Sequence, residues 1–516
     1  MQSRKDQVQA HLFVLGRLSS SMLRDDPDTP DAPLGRTRRG MGCGIVLAVL
    51  IAVGVGLYGL LVPGGNTSWR TDGTLVVVKD SGARYLYTGG RLHPVLNMAS
   101  AKLLAGDSMT TKTVASASLD SAARGAPLGI VGAPDGLPGS GDLRTGSWAA
   151  CTARDPAGRG KDRGRLSVAV GDLPSGRGLA DKEATLVTGP DGTRYALWRG
   201  QRLALPRSSD GQAALGWSGR SAPSVPAAFL DTLPAGPDLA APHVPGRGDA
   251  GPRLSTGTTR LGQLFEGAGG QHYLLRRDGL VPLTPLLYEL LRGAPATQEK
   301  AYGGGTVGVR RLGPSDLAEH RAPETAAGEL ARGLPRSVPK LVTAGSGQAV
   351  CAQVTPHGRM PSTAVVVRPA DAVPSGAPAL RPGVGRGCLQ ADQVWVENGG
   401  GALVGSLSSS GAGGARYLVT DDGVAYPLAA GAAERLGYDG ARQVRLPDAW
   451  LQLLPAGPTL DASRLSRTGL VRAAERPADC GRENRPTGSA EGSAKKAADS
   501  GKDNTGTEPG RRTTDG

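Results

Sequence analysis

Residues 41–62 read MGCGIVLAVLIAVGVGLYGLLV, a run of 22 residues that contains no charged side chain. At about 1.5 Å of rise per residue, a helix of this length reaches about 33 Å and can cross a hydrocarbon core of about 30 Å. Within lipid, a helix satisfies every backbone N–H and C=O group inside its own segment. The run therefore predicts one transmembrane helix, and the rest of the chain can be interpreted outward from it.

Basic residues flank this run on its N-terminal side. Arg36, Arg38 and Arg39 precede it closely, whereas no charged residue follows it until Arg70. The positive-inside rule then predicts a single-pass protein of the cell membrane, with a cytoplasmic N-terminus and a large extracytoplasmic C-terminal region. A cleaved signal peptide is the alternative, but its apolar region is usually only about 7–15 residues long.

The cytoplasmic segment, residues 1–40, contains a second helical pattern. Val8, Leu12, Leu15, Leu18 and Met22 recur at the spacing of one helix face, and a basic linker follows them. The spacing predicts an amphipathic helix that lies on the inner membrane leaflet or against a partner protein. The pattern leaves both possibilities open.

The composition of the exported region favours short elements joined by turns. The chain has 79 Gly and 39 Pro but only 3 Phe, which is typical of a strand-rich α+β domain and not of long packed helices. The net charge of +13 is spread over dispersed Arg residues, and no basic helix or basic–aromatic cluster occurs. We therefore expect no nucleic acid among the partners.

Two stretches of the exported region resemble each other closely. VPAAFLDTLPAGPDL begins at Val225 and LPDAWLQLLPAGPTL begins at Leu446, so that Phe229 matches Trp450 and the two LPAGP blocks coincide. Such self-similarity indicates an internal duplication. The correspondence is therefore expected to extend upstream of both stretches.

Four short repeats follow one scheme: an apolar run, a Gly-rich turn, a strand with a central Tyr, a second turn, and an apolar residue near Pro. Asp-Gly and Ser-Gly turns between short alternating runs indicate β-hairpins. The central Tyr residues are Tyr85, Tyr195, Tyr273 and Tyr426. The repeats lie near residues 75–106, 185–242, 262–293 and 416–465.

Between paired repeats lie two apolar strands, the first of which carries a cysteine. The exported region is therefore expected to form two pseudo-twofold halves, residues 66–247 and 248–470, around a central β-rich domain. The second half is expected to carry an insertion of some twenty residues or more, from Cys388 through ENGGGALVGSLSSSGAGG. The polar tail, residues 471–516, lacks large apolar side chains after about residue 482 and is predicted to be disordered there.

Four cysteines lie in the exported region, where the environment favours disulfides. Cys151 and Cys351 occupy equivalent strands of the two halves, so that a pseudo-twofold axis would bring them together. We predict a disulfide between them, with two buried free thiols as the alternative. Cys388 and Cys480 are then the remaining candidate pair.

No sequence motif indicates catalysis. GxxxxGK[ST] is absent, no Ser lies in a nucleophile-elbow context, and no Cys/His cluster suggests a metal site. The six histidines share no position in the repeats. We therefore predict no catalytic, cofactor-binding or metal-binding residue.

The layout as a whole resembles the EccB family of actinobacterial type VII (ESX) secretion systems. The resemblance rests on RKDQVQAHLFVLGRL near the N-terminus, the single membrane run, the two-plus-two repeats, the LPAGP blocks, VENGGGALV and the cysteine pair. It covers nearly the whole chain up to about residue 480.

The resemblance implies a structural membrane subunit that supports protein export. It also implies partners, namely EccC-, EccD- and EccE-type subunits and a mycosin protease, and self-association of the exported domain. Family members have been described as ATPases, so that an ATP-hydrolysing component with bound ATP is the alternative. A cell-envelope module that binds glycan through the Tyr-bearing hairpins is a second alternative.

Overall fold

A computed structural model of the chain describes residues 4–22, 35–61, 67–154, 164–173, 176–206, 209–358, 360–378, 380–408 and 413–472. It confirms the predicted class, which is one apolar N-terminal helix followed by a strand-rich α+β domain. The predicted disorder after residue 482, the tail from residue 473 and most of the basic linker lie outside the described residues.

The described strands are short, and many have only two to five residues. In chain order they are β1 (Thr74–Val78), β2 (Arg84–Thr88), β3 (Arg91–Pro94), β4 (Thr110–Val114), β5 (Gly129–Ile130), β6 (Trp148–Ala153), β7 (Arg165–Val170), β8 (Arg177–Gly178), β9 (Glu183–Thr188), β10 (Arg194–Trp198), β11 (Gln201–Ala204), β12 (Leu264–Glu266), β13 (His272–Arg276), β14 (Gly279–Pro282), β15 (Arg310–Arg311), β16 (Lys340–Leu341), β17 (Gln348–Thr355), β18 (Ser362–Pro369), β19 (Gln393–Val396), β20 (Gly401–Leu407), β21 (Gly413–Thr420), β22 (Ala425–Leu428), β23 (Val444–Pro447) and β24 (Leu470–Val471).

The α-helices outside the N-terminal region are also short. In chain order the α-helices are α1 (Arg4–Ser21), α2 (Gly35–Leu61), α3 (Met98–Ala105), α4 (Ser209–Ala214), α5 (Ala227–Asp231), α6 (Pro285–Arg292), α7 (Pro314–His320), α8 (Glu324–Leu330), α9 (Ala432–Arg435), α10 (Asp448–Leu451) and α11 (Ala462–Thr468).

Helices α1 and α2 expose apolar side chains. Within α2, the segment Thr37–Tyr58 has a mean hydropathy of 2.4, is not buried by any other described part, and is long enough to cross a membrane. Helix α1 exposes the apolar stripe that its spacing predicts. It also exposes Phe13 and Val14, which lie outside that stripe. Its apolar surface is therefore wider than one amphipathic face.

Four of the sheets share one strand order, in which an antiparallel three-stranded meander gains a fourth strand parallel to its first. We name them unit 1 (β1–β4), unit 2 (β9–β11 with β16), unit 3 (β12–β15) and unit 4 (β20–β23). Tight glycine turns close the meanders, as at Gly89 and Gly90 with φ of 57° and 73°. The fourth strand covers one edge of each meander.

The middle strand of each unit carries a Tyr opposite the end of the third strand. Tyr85 lies opposite Pro94, and Tyr273 lies opposite Pro282. In unit 4 this position is held by Tyr417, opposite Pro427, and not by the predicted Tyr426, which lies on the third strand.

The prediction for Tyr426 was wrong because the fourth unit begins at Gly401, earlier than expected. The stretch interpreted as an insertion contains β19 and the first strand of the unit, β20. The duplication itself stays a prediction.

The strand pairs cross the predicted boundary between residues 247 and 248. Strand β16 follows unit 3 in the chain but pairs with β9 of unit 2, placing Lys340 opposite Glu183. Unit 3 is therefore inserted within unit 2.

A central six-stranded sheet has the order β19-β7-β6-β17-β18-β8. Its two middle strands, β6 and β17, are antiparallel and come from different predicted halves. The outer strands are exchanged, since β8 pairs with β18 and β19 pairs with β7. Each predicted half therefore supplies an outer strand that pairs with a strand of the other half.

Unit 1 packs with unit 4, and unit 2 packs with unit 3, so that the first and last units of the chain form one pair. In the tethered arm, α3 of unit 1 packs in one core with α9 and α11 of unit 4. In the free arm, α6 of unit 3 packs in one core with β9–β11 of unit 2. Apolar side chains of units 2 and 4 also pack on one face of the central sheet. We use these two names because the chain enters unit 1 directly from helix α2.

Candidate functional site: the disulfide core and the two arms

The structure joins Cys151 and Cys351 by a disulfide at the centre of the central sheet. The two residues lie directly opposite each other on β6 and β17. Their exposed fractions are 2% and 0%, and they pack with Ala149, Ala349 and Val366 on the face opposite the main core. This bond links the chain across 200 residues, so that it ties the two crossing segments together at their midpoint.

The other predicted site residues are less fully described. Cys388 is also disulfide-bonded, but its predicted partner, Cys480, lies outside the described residues. Arg36, Arg38 and Arg39 all fall in the first turns of helix α2, and Arg38 and Arg39 are exposed. The three arginines of the basic flank are therefore part of helix α2.

Polar side chains bridge the two units of the tethered arm. Lys102 Nζ on α3 donates to the carbonyl oxygen of Leu436 at 2.8 Å, and Arg435 Nη1 donates back to the carbonyl oxygen of Leu103 at 3.2 Å. Both bonds satisfy carbonyl groups at helix C-terminal ends, where a cation is favoured. Such reciprocal bonds fix the angle between the two helices.

A second polar cluster lies beside this interface in unit 4. Arg381 Nη2 donates to Asp422 Oδ2 at 2.7 Å, and the Tyr426 hydroxyl donates to the same oxygen at 2.9 Å. Asp422 Oδ1 accepts from Thr420 Oγ1 at 2.6 Å. Burial raises the pKa of Tyr426 far above its usual value, so that this hydroxyl stays a donor. The cluster anchors the segment that leads to Cys388.

A second ion pair holds unit 1 to the segment that follows it. Arg84 donates through both terminal nitrogens to Asp135, at 2.7 and 2.6 Å. Asp135 also accepts from the backbone N–H of Met98, the first residue of α3, at 3.0 Å. The Arg84 hydrogen bond, followed by that of Met98, lowers the pKa of Asp135. No local sequence signal predicted these residues, because the partners lie 51 residues apart.

The free arm is held by apolar packing and by backbone pairing. Leu286 and Leu290 of α6, with exposed fractions of 0% and 2%, lie in one cluster with Leu203 and Trp217 of unit 2. Arg247, on the segment between the units, donates to Thr297 Oγ1 and to the carbonyl oxygen of Pro242. Burial lowers the pKa of Arg247.

A cleft of about 450 Å³ lies at the edge of unit 3. Two of its guanidinium groups are held by carboxylates of the same cleft, since Arg277 pairs with Asp249 and Arg276 pairs with Asp278. The described parts of the chain contain no group of three or more His, Cys, Asp or Glu side chains that could hold a metal ion. The geometry here supports exposed ion pairs and assigns no catalytic role.

The fold and these contacts define a class: a membrane-anchored protein with a disulfide-braced, strand-rich domain whose four sheets are locked in two arms. Residues 1–468 match the family model described as "Type VII secretion system ESX-1, transport TM domain B". The chain belongs to this family, EccB, as its sequence pattern indicated.

Curated relatives span most of the chain. It is 26% identical over 495 residues to the "ESX-3 secretion system ATPase EccB3" of Mycolicibacterium smegmatis, covering 88% of this chain and 89% of that protein. It is 30% identical over 304 residues to the "ESX-2 secretion system ATPase EccB2" of Mycobacterium tuberculosis, covering 57% and 59% of the two chains.

Solved structures share the fold. A chain in the "Structure of an intact ESX-5 inner membrane complex" matches with a TM-score of 0.57 and 24% identity, covering 93% of this chain and 97% of that chain. The "Structure of EccB3 dimer from the ESX-3 core complex" matches with a TM-score of 0.57 and 24% identity, covering 75% and 98%.

Proposed function

We propose that this protein is a structural, non-catalytic subunit of a type VII secretion membrane complex, which supports protein export across the cell envelope. Family membership over residues 1–468 carries the proposal. The cross-braced domain supports it, because a sheet completed by strand exchange and a buried disulfide suit a rigid scaffold.

The proposed orientation places α1 in the cytoplasm and units 1–4 outside the membrane. Arg36, Arg38 and Arg39 at the start of α2 support this orientation by the positive-inside rule. A disulfide in the exported domain also suits an oxidising compartment.

Helix α1 is the proposed contact with cytoplasmic parts of the complex. Seven large apolar side chains, six in α1 and one just after it, are 50–85% exposed: Val8, Leu12, Phe13, Val14, Leu15, Leu18 and Met22. Such a surface is stable in water only when it is covered by membrane or by protein. We propose EccC-, EccD- or EccE-type subunits as the partners that cover it, and a mycosin protease as a partner of the exported domain.

Purification of tagged full-length protein from its native membrane in mild detergent tests the proposal. We expect an FtsK-like ATPase and a multi-span membrane protein to elute with it. A variant with Leu12 and Leu15 changed to Glu should lose those partners but keep its melting temperature. Elution of the wild-type protein as an isolated monomer would contradict the proposal.

ATP hydrolysis is the alternative function, and it is favoured by the word "ATPase" in the names of the curated relatives. Turnover of ATP by purified full-length protein tests it. A true activity must persist through size exclusion, and an activity located in the cleft must also respond to Arg277→Ala. Turnover that is the same with and without that change would point to a contaminating enzyme or to another site.

Binding of cell-wall glycan is the remaining alternative. The Tyr side chains of the predicted hairpins offer little free surface, because Tyr85, Tyr195 and Tyr273 pack partly into the core and Tyr426 is fully buried. Sedimentation with purified cell wall tests this alternative, and a protein that remains in the supernatant would contradict it.

A further inference from the structure

Three exposed arginines of unit 1 lie at the end of the sheet where the chain enters from helix α2. Strand β1 begins at this end, and the antiparallel strands β2 and β3 meet there in a turn. Arg70 precedes β1, Arg91 begins β3, and Arg124 pairs through its backbone with Leu92, the next residue of β3. All three arginine side chains are exposed to solvent. The fold therefore gathers guanidinium groups from three separate segments at one end of unit 1.

Two hydrogen bonds bring these arginines onto one short segment. Arg70 Nη2 donates to Ser121 Oγ at 3.0 Å, and Arg91 Nη1 donates to the carbonyl oxygen of Arg124 at 3.4 Å. Ser121 and Arg124 are close neighbours in sequence. Both side chains therefore end beside the segment that carries Arg124.

Most of the N–H donors of these arginines stay available to another group. The guanidinium carbon of Arg70 lies 5.1 Å from the ring centre of Trp69, and that of Arg124 lies 5.0 Å from the ring centre of Tyr85. Such stacking positions a guanidinium without using its five N–H donors. Among the described residues, no ion pair joins any of the three arginines to a carboxylate. The planar fork of each guanidinium matches two oxygens of a phosphate group.

The nearby carboxylates leave this end of unit 1 with a small positive charge. Asp107 lies near Lys102 at the contact with unit 4, since its Oδ1 and the Lys102 Nζ approach the Cβ position of Gly437 to 2.9 and 3.0 Å. Exposed Asp72 and Asp120 then oppose the charges of the three arginines without cancelling them. Recognition must therefore come from short-range guanidinium contacts and not from a strong field.

Units 2 and 3 provide a matched comparison, because strand register aligns the same three positions in each unit. The positions of the three arginines are held in unit 2 by Asp181, Gln201 and Ala235, and in unit 3 by Thr259, Gly279 and Arg321. Only unit 1 of these three carries arginine at every position. The fold therefore does not require the arginines, and they distinguish the unit that follows the membrane helix.

A short segment attaches unit 1 to the membrane helix. Eight residue steps separate Leu61, the last residue of α2, from Trp69, the first buried residue of unit 1. Fully extended, they span about 27 Å. Because Arg70 directly follows Trp69, this end of unit 1 stays within reach of the lipid headgroups when α2 crosses the membrane.

We propose that Arg70, Arg91 and Arg124 bind the phosphate groups of anionic phospholipids, on the side of the membrane from which the exported domain emerges. Bidentate contacts between guanidinium and phosphate seat unit 1 on the headgroup layer and orient the domain relative to α2. This surface does not depend on the secretion partners, because it requires only the membrane helix and its short connection to unit 1.

Hydrogen exchange of the full-length protein in nanodiscs tests this contact. Discs of phosphatidylcholine with about one quarter phosphatidylglycerol supply the anionic lipid, and discs of phosphatidylcholine alone supply the comparison. We expect the amides of residues 88–91 and 119–124 to exchange at least about threefold more slowly in the anionic discs. Equal exchange of these amides in the two kinds of disc overturns the proposal.

The matched variant gives unit 1 the side chains that units 2 and 3 carry at the same positions. It combines Arg70→Thr, Arg91→Gln and Arg124→Ala. We expect no slowing of exchange in the anionic discs. We also expect the variant to retain at least about tenfold less phosphatidylglycerol than the wild type in native mass spectrometry, because each arginine near the surface adds to the attraction for anionic lipid.

The control removes the same number of charges from exposed arginines around unit 3, by Arg253→Thr, Arg332→Gln and Arg336→Ala. It should behave like the wild type in both measurements. Melting temperatures, and exchange in strand β9, should agree for all three proteins, which separates loss of lipid from loss of fold. A unit 1 variant that is slowed as strongly as the wild type overturns the assignment to these arginines. Equal slowing by inorganic phosphate in lipid-free detergent overturns the assignment to lipid.

Discussion

The tethered arm and the free arm contain the same parts but are held together differently. Each pairs two four-stranded units through short helices. The tethered arm uses reciprocal side-chain bonds to helix ends, a bidentate ion pair and the Arg381–Asp422–Tyr426 cluster. The free arm uses a leucine-lined core and the shared strand β16.

The difference follows from chain connectivity. Units 2 and 3 are contiguous in sequence, and strand β16 returns from unit 3 to complete unit 2, so that the backbone itself holds the free arm together. Units 1 and 4 are joined only by distant parts of the chain, with Lys102 and Leu436 separated by 334 residues. Side-chain bonds therefore add to the shared apolar core and to the β24–β5 pairing in orienting units 1 and 4.

The chain also ends differently on the two arms. After its LPAGP block, unit 4 continues into a C-terminal strap, residues 461–472, which forms α11 and β24 and returns to β5 beside unit 1. The corresponding segment of unit 2 runs directly into unit 3 without a helix. The segment that follows the LPAGP block thus forms a strap in the tethered arm and a connector between units in the free arm.

The largest effect on stability is expected at the Cys151–Cys351 disulfide of the central sheet. Replacing both Cys151 and Cys351 with Ala should lower the free energy of unfolding by about 5 kcal/mol, since the chain-entropy model gives this value for a loop of about 200 residues. Urea denaturation under oxidising conditions measures the change.

Cys43→Ala is the control, because this exposed free cysteine lies in helix α2. It should leave the urea midpoint unchanged. A double Ala variant with the midpoint of the wild type would show that strand exchange alone holds the two halves together.

The aromatic anchors of the two arms should be equally important. Phe229 and Trp450 occupy corresponding positions, have exposed fractions of 0%, and pack in the same central core. Each change to Ala should cost about 3–5 kcal/mol, because it removes a large side chain from a packed core. Urea midpoints of Phe229→Ala and Trp450→Ala measure both costs against Met360→Ala, an exposed control.

A difference of more than about 2 kcal/mol between the two variants would contradict the equivalence of the arms. The smaller cost would then identify the arm that can relax around the cavity.

Strongly periodic segments were predictable from the sequence, whereas the pairing of distant strands was not. The apolar run gave the membrane helix, and the Gly-rich turns between short alternating runs gave hairpins such as β2–β3 and β13–β14. The strands that pair across the predicted halves, such as β8 and β16, have two residues each and carry no periodicity. Ion pairs such as Arg84–Asp135 join residues that no local pattern relates.

The error at Tyr426 has a physical origin. In unit 4, residues 408–412 connect β20 to β21 with Ser, Gly and Ala, and the other units use connections of the same length. That polar connection resembles an insertion, so the next hairpin, with the same Tyr and turn pattern, was taken for the first. Only the strand register distinguishes the two hairpins.

A smaller effect is expected at the start of the strap. The Asp461 side chain accepts hydrogen bonds from the backbone N–H groups of Ser463 and Arg464 and caps α11. Asp461→Ala should cost about 1 kcal/mol by loss of the cap, and it should increase hydrogen exchange in residues 462–471.

The corresponding change in the free arm is Ala240→Asp. It should give no gain, because Pro242 and Pro245 interrupt any helix there. Slower exchange after that change would contradict the interpretation that composition alone separates a strap from a connector.

The smallest expected effect is the pH dependence of the strap. The hydrogen bond from the Ser463 hydroxyl, followed by those from backbone N–H groups, lowers the pKa of Asp461. Because the folded pKa is lowered, the carboxylate stabilises the fold above its unfolded pKa of about 3.9, and this contribution disappears as the pH falls through the lower folded value.

Asp461→Asn retains a capping oxygen and cannot titrate. The difference in free energy of unfolding between wild type and Asp461→Asn should therefore stay constant from pH 7 to about 5 and shrink below about pH 4, by less than about 1 kcal/mol. Other acidic groups, such as Asp135 and Asp316, titrate in both proteins and cancel in this difference. A difference that is independent of pH down to about 2.5 would show that the charge of Asp461 contributes nothing to the strap, leaving the neutral cap as the whole of its effect.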